Sequence, residues 1–292
     1  MTYTQWQHDP DTGYYANPET AGKLPAGYYE LGTDSRGVLF FRPVPARDDT
    51  LLRFPDSAAG EVIKGITDFW SREEAFRRYG LPFKRGILLH GPAGMGKTST
   101  LQIIAREVIS QGGVALNYNV NLFSFGYRAL RQVQPDAPLV VFIEDIETYE
   151  ASPFPKNGNS DNTAAFLNML DGTENISRVV FLATTNHPER LSARIINRPS
   201  RFDMIIEVPP PDKDMRRLYL SSLAEHAEID VECHVRDTEG MSFAHIKELF
   251  IATIILGNGY EESIARLKAM SLAPYKPSDQ PSANGVLQGQ YL

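Results

Sequence analysis

The chain has 292 residues, 42% hydrophobic and 22% charged, an ordinary globular composition with room for one large domain and one small one. Its formal charge of -7 gives no general attraction to nucleic acid, and its one cysteine, Cys233, excludes an intramolecular disulfide framework and a cysteine-built zinc cage. No apolar run approaches the roughly 18 residues that cross a bilayer, and the polar start Met1-Thr2-Tyr3-Thr4-Gln5-Trp6 lacks a signal-peptide pattern, so a cytoplasmic protein without a membrane partner is expected.

Residues 1–20 mix Tyr, Asp, Asn, Pro and Gly without a sustained period and read as a loose arm. Gly27-Tyr28-Tyr29-Glu30-Leu31 and Val38-Leu39-Phe40-Phe41 flank a turn-forming centre and predict a hairpin that packs on the main domain, since a lone hairpin is marginal. A helical pattern covers Phe54 to Tyr79 and stops at Gly80-Leu81-Pro82. Apolar runs then alternate with helical stretches, as a parallel sheet with crossover helices requires. Strands are expected at 87–90, 114–119, 139–144, 179–184 and 204–208, with helices near 97–111, 122–133 and 161–171, the last capped by Asp161. Pro209-Pro210-Pro211 is a break. Helices at 212–226, 242–256 and 259–270 follow, with Asp214 in one first turn and Ser242 starting another. Four regions result: an arm and hairpin over 1–50, an α/β domain over 51–210, a small helical lid over 211–272 and a disordered tail over 273–292.

The chemistry gathers at Gly91-Pro92-Ala93-Gly94-Met95-Gly96-Lys97-Thr98-Ser99, which fits the phosphate-loop pattern G-x-x-x-x-G-K-S/T between an apolar run and a helical one. Glycines let successive N–H groups face phosphate oxygens, and the next helix adds its positive end. Lys97 is placed to reach the β- and γ-phosphates of ATP and Thr98 to ligate Mg²⁺. Leu139 to Ile143 is a buried-type strand ending in Glu144-Asp145, one acid for hydrated Mg²⁺ and one to polarise the attacking water. Val179 to Thr184 runs into Asn186, an amide able to bond the γ-phosphate or the lytic water without changing charge. Arg198 and Arg201 precede the last strand. Either can stabilise phosphoryl-transfer charge from a neighbouring subunit or make a surface salt bridge.

These elements, GPAGMGKTS at 91–99, VVFIEDIE at 140–147, FLNMLDG at 166–172, ATTN at 183–186 and NRPSRFD at 197–203, together resemble the AAA+ ATPase family over about residues 55–270. YGLPFKRGILLHGPAGMGKTS, the Glu-Asp order and TTNHPERL at 184–191 are similar to the subgroup of the mitochondrial complex III assembly ATPase. The resemblance implies a P-loop parallel sheet in order 5-1-4-3-2, a helical lid, and nucleotide at the subunit boundaries of a ring, usually a hexamer. It also gives Lys97 and Thr98 the Walker A roles, Asn186 sensor 1 and Arg201 the arginine finger, alone or with Arg198. The usual acidic order is Asp-Glu, so here magnesium falls to Glu144 and water activation to Asp145, and slow hydrolysis is expected.

Phe123, Phe125 and Tyr127 lie where family members carry a pore loop. Gripping a protein client, stacking on single-stranded nucleic acid with Arg128 and Arg131, and simple packing of an amphipathic helix all fit that stretch. The function expected is a Mg-dependent ring ATPase that remodels a macromolecule, most readily a protein. The alternatives are a DNA-linked helicase or clamp loader, which the acidic charge disfavours, and an ATP-switched assembly scaffold with slow hydrolysis.

Overall fold

The computed structural model describes residues 3–17, 23–45, 52, 54, 57–149, 160–171, 176–198 and 200–272. Strands β1 (Gln5–Asp9), β2 (Gly13–Asn17), β3 (Gly27–Thr33) and β4 (Leu39–Pro43) precede helices α1 (Ala58–Trp70) and α2 (Glu73–Arg78). Then β5 (Lys84–His90), α3 (Lys97–Ser110), β6 (Val114–Asn117), α4 (Phe123–Val133) and β7 (Leu139–Ile143) alternate. They are followed by α5 (Ser160–Asp171), β8 (Val179–Thr185), α6 (Ala193–Ile196) and β9 (Met204–Glu207).

Every residue of β7 and β8 is buried, so both faces of these strands need cover, and crossover helices supply it in a parallel sheet. On one face Val140, Phe142, Val180 and Leu182 pack with Val62, Ile66, Leu101 and Ile104 of α1 and α3. On the other, Val141, Ile143, Phe181 and Ala183 pack with Phe123 and Leu130 of α4 and Phe166 and Leu170 of α5. The parallel strands lie in the order β9-β5-β8-β7-β6, the expected 5-1-4-3-2. The helical stretch expected over 54–79 is two helices, because the Ser71 hydroxyl takes the carbonyl of Asp68, 2.7 Å away, at the end of α1. The helix expected to be capped by Asp161 already begins at Ser160.

The N-terminus departs most from expectation. Residues 5–17 are a β-hairpin rather than a loose arm, and among the described residues the sheet has nine strands, continuing from β6 through β3, β4 and β2 to β1. β3 pairs parallel with β6, Gly27 opposite Val114 and Tyr29 opposite Leu116, so the second hairpin lengthens the sheet edge to edge. Asp9 turns the first hairpin by accepting from the N–H groups of Asp11 and Thr12. Trp6 anchors it: the buried ring meets Phe41 at 4.7 Å and its N–H donates to Gln134 Oε1 at 3.0 Å.

The chain divides into two compact units after Pro210. The second contains α7 (Lys213–Leu223), α8 (Val231–Asp237), α9 (Phe243–Phe250) and α10 (Tyr260–Leu272) around Leu220, Val235, Met241, Ile246, Leu249, Ile264 and Leu267. Among the described residues four helices stand where three were expected; α8 has only seven residues and is announced mainly by its cap, Asp230, which accepts from Cys233 N. Ser242 caps α9 as expected, accepting from His245 N. The apolar run after α9 makes one π-helical turn, Ile251–Ile255, and leaves Ile255 and Leu256 exposed. Residues 273–292, expected to be disordered, lie outside the described residues, and among those described no helix is long and apolar enough to cross a membrane.

Candidate nucleotide-binding site

The glycine loop sits between β5 and α3, and its glycines do what no other residue could. Gly91 has φ +150° and a Cβ there would lie 2.4 Å from the Val208 carbonyl oxygen; Gly94 and Gly96 have φ +79° and +90°. Replacing Gly91 by alanine is expected to lower the melting temperature and abolish ATP binding together; unchanged binding of a fluorescent ATP analogue would contradict it. Met95 is buried against the sheet, whereas Pro92, Ala93, Gly94, Thr98 and Ser99 are exposed. Lys97 opens α3 buried, its ammonium donating to the carbonyls of Gly91 and Pro92 at 2.7 and 2.8 Å. Burial pushes its pKa below the usual lysine value, and the charges of Asp145 and then Glu147 pull it back.

Opposite the loop, Glu144 follows β7 and its carboxylate accepts from the Thr98 hydroxyl at 3.1 Å. Asp145 is held in the left-handed region at φ +47°, uncommon for a residue with a side chain. Thr184 of the neighbouring β8 and Asn186, just past its end, fix it there. Its N–H donates to Thr184 Oγ1 at 3.2 Å, and its carboxylate accepts from Asn186 Nδ2 at 3.1 Å. Lys97, Thr98, Glu144, Asp145 and Asn186 therefore meet at the carboxyl ends of β5, β8 and β7, where open α/β sheets bind their ligands. The donor set fits a nucleotide with Mg²⁺: hydroxyl and carboxylate oxygens suit a hard cation, and a lysine whose bonds among the described residues go to loop carbonyls stands in a loop whose Gly94 and Gly96 hold positive φ. Sequence reasoning missed Thr184 and Glu147. The signal for Thr184 was a hydroxyl at the tip of a buried strand, and Glu147 has one buried carboxylate oxygen without a hydrogen-bond partner among the described residues.

The arginines lie elsewhere. Arg201 donates through Nε and Nη2 to the Asp171 carboxylate at 2.8 and 2.7 Å, with its side chain 4% exposed. Those bonds hold the Asp171 pKa below the usual carboxylate range. Arg198 reaches the same carboxylate at 2.8 Å but remains 57% exposed. The Arg201 carbonyl crowds Gly86, near the start of β5, while the glycine loop follows its end at His90. Four residues of strand span about 13 Å, so neither arginine is brought to the phosphate loop of its own chain. Arg201, expected as the arginine finger, is the buried half of an ion pair; Arg198 is the exposed one.

The candidate pore aromatics divide likewise. Phe123 and Tyr127, 1% and 8% exposed, belong to the core, and the Tyr127 hydroxyl bonds the Ser177 backbone N–H and carbonyl. Only Phe125, at 62%, faces outward. Arg131 lies over the Tyr127 ring and donates to the carbonyls of Ala137 and Arg178, which removes it from any nucleic-acid face; Arg128 stays exposed. The segment is mainly an amphipathic helix packed on the sheet, because its apolar residues recur every four positions.

With this geometry, residues 87–210 match the family described as "ATPase family associated with various cellular activities (AAA)". This region is an AAA ATPase domain. Its relatives include the proteasome-activating nucleotidase of Methanothermobacter thermautotrophicus, 32% identical over 193 residues, 61% of this chain and 47% of that protein. The 26S proteasome regulatory subunit 10B homolog A of Arabidopsis thaliana is 28% identical over 194 residues, 60% of this chain and 48% of that one. The ATP-dependent zinc metalloprotease FtsH of Caulobacter vibrioides is 31% identical over 239 residues, 75% of this chain and 36% of that one. The chain thus spans less than half the length of these three curated relatives of its AAA domain.

Proposed function

We propose that the protein is a Mg-dependent ATP hydrolase that works as a ring, a hexamer by resemblance, and remodels a protein client. The observation that carries the enzymatic part is the convergence of Lys97, Thr98, Glu144, Asp145 and Asn186 on three strand ends. Lys97 exchanges its loop carbonyls for phosphate oxygens, and the loop N–H groups hold the β-phosphate. Thr98 and Glu144 are the residues that would hold Mg²⁺, which supplies charge neutralisation on the phosphate oxygens. Asp145 orients the attacking water and takes its proton as the new bond to the γ-phosphorus forms and the bond to ADP breaks. Asn186 fixes the Asp145 carboxylate in the orientation this requires.

A shared site is supported by the separation of Arg198 from its own loop, since an arginine that cannot serve its own nucleotide is available to a neighbour's. A protein client is supported by relatives named as a proteasome-activating nucleotidase, a 26S proteasome regulatory subunit and a zinc metalloprotease, and by the exposed Phe125. The complex III assembly subgroup and a cytoplasmic location belong to the same proposal, the first on the sequence motifs at 79–99 and 184–191.

The test is ATP hydrolysis with Mg²⁺ across a range of protein concentrations. Specific activity is expected to climb as subunits assemble. Activity independent of concentration would remove the ring, and absence of both binding and turnover would remove the ATPase.

A further inference from the structure

The N-terminal strands lie outside the region that matches the AAA family, yet across β6 the Tyr28 side chain of β3 reaches Phe142 of β7, the strand that leads into the site's acids. The contact follows from register. On β3, Tyr28 and Glu30 share one face; on β6, Asn117 shares it; on β7, Phe142 stands opposite Asn117, and Glu144 comes two residues later. The Tyr28 ring meets Phe142 edge-on at 5.4 Å and 83°. Its hydroxyl donates to Asn117 Oδ1, and Asn117 Nδ2 donates to Glu30 Oε1 at 3.2 Å. Tyr28, Glu30, Asn117, Phe142, Glu144 and Thr98 all border one cleft of about 520 Å³.

The end of β7 needs such support. Asp145 occupies a left-handed conformation, and a strained residue persists only when its surroundings over-determine it. From the β8 side, Thr184 and Asn186 hold it. From the other side, Asn117 of β6 is held by Tyr28, and Phe142, immediately before the last strand residue, packs on the same ring. We infer that Tyr28 is a positioning residue for the Glu144–Asp145 pair, through which the N-terminal sheet sets the magnesium end of the nucleotide site. The inference rests on Glu144 as the magnesium-holding acid. Tyr28 acts on the acids through Phe142 and Asn117.

The measurement is the affinity of a fluorescent ATP analogue with and without Mg²⁺, together with the Mg²⁺ concentration that half-saturates turnover. Since a misplacement of about 1 Å can cost about a hundredfold, Tyr28→Ala is expected to lose about tenfold of the Mg²⁺-dependent gain in affinity. Its metal-free affinity stays at the wild-type value, and half-saturation moves upward by a similar factor. Tyr28→Phe keeps the ring, loses the bond to Asn117, and is expected to lose about threefold. A folded Tyr28→Ala with the wild-type gain overturns the inference, even if it melts earlier. Should Tyr28→Ala fail to fold, Tyr28→Phe decides: a reduced gain supports the role and an unchanged gain overturns it. Glu144→Gln is the control. If that change itself leaves the Mg²⁺-dependent gain intact, the magnesium assignment has failed, which is a different result from failure at Tyr28.

Discussion

Asp145→Asn is expected to lower ATP turnover by about a hundredfold or more while ATP still binds, because proton transfer by a positioned carboxylate contributes about 10²–10⁴. Asparagine has nearly the shape of aspartate, so the turn at φ +47° and the backbone bond to Thr184 survive, and only the proton acceptor is lost. The neighbouring acid should behave differently. Glu144 meets the Thr98 hydroxyl on the loop side and Asp145 meets Asn186 on the β8 side, so the two carboxylates already point to different partners. Glu144→Gln is therefore expected to raise the Mg²⁺ requirement, and Asp145→Asn to lower the maximal rate without changing that requirement. Single-turnover and steady-state assays over a Mg²⁺ series separate the two effects. Equal Mg²⁺ profiles for both variants would show that the acids do not divide the work in this way.

Much of the site was legible in the sequence because its chemistry is local. Gly91 to Ser99 form one unbroken loop, and Glu144, Asp145 and Asn186 each end or follow an apolar strand, so one dimension carries nearly all the information. The parallel core was legible for the same reason: strands buried on both faces stand out as apolar runs. The first hairpin did not, since Gln5 to Asp9 has one buried residue in five and acquires its place only by pairing with β2. Burial was also hidden where a helix alternates its faces. Phe123, Phe125 and Tyr127 look equivalent in the sequence, but four-residue spacing sends the first and last inward and the middle one outward. The pairing of the arginines was hidden for a further reason: Asp171, thirty residues earlier, accepts from both Arg198 and Arg201, and nothing local to 197–203 reveals it.

That division predicts opposite outcomes for the two arginines. Breaking a buried ion pair costs about 3–5 kcal/mol; Asp171 keeps some solvent and Arg198 as a partner, so Arg201→Ala should cost about 2 kcal/mol of stability. Its activity loss should follow its loss of folded protein on heating. Arg198→Ala removes only an exposed guanidinium, so its melting temperature should stay near wild type. If Arg198 serves the nucleotide of an adjacent subunit, however, turnover should fall by about 10³ or more, the range for a supplied arginine. Mixing then decides whether the arginine acts across subunits. Asp145→Asn subunits keep Arg198 but cannot activate water, and Arg198→Ala subunits keep Asp145. Each is nearly silent alone, and together they should regain activity at boundaries where an intact Asp145 site receives an intact Arg198. A silent mixture that still co-assembles would mean that Arg198 does not act across the boundary. Wild-type turnover by Arg198→Ala alone would return both arginines to the structural role that Arg201 already fills through Asp171.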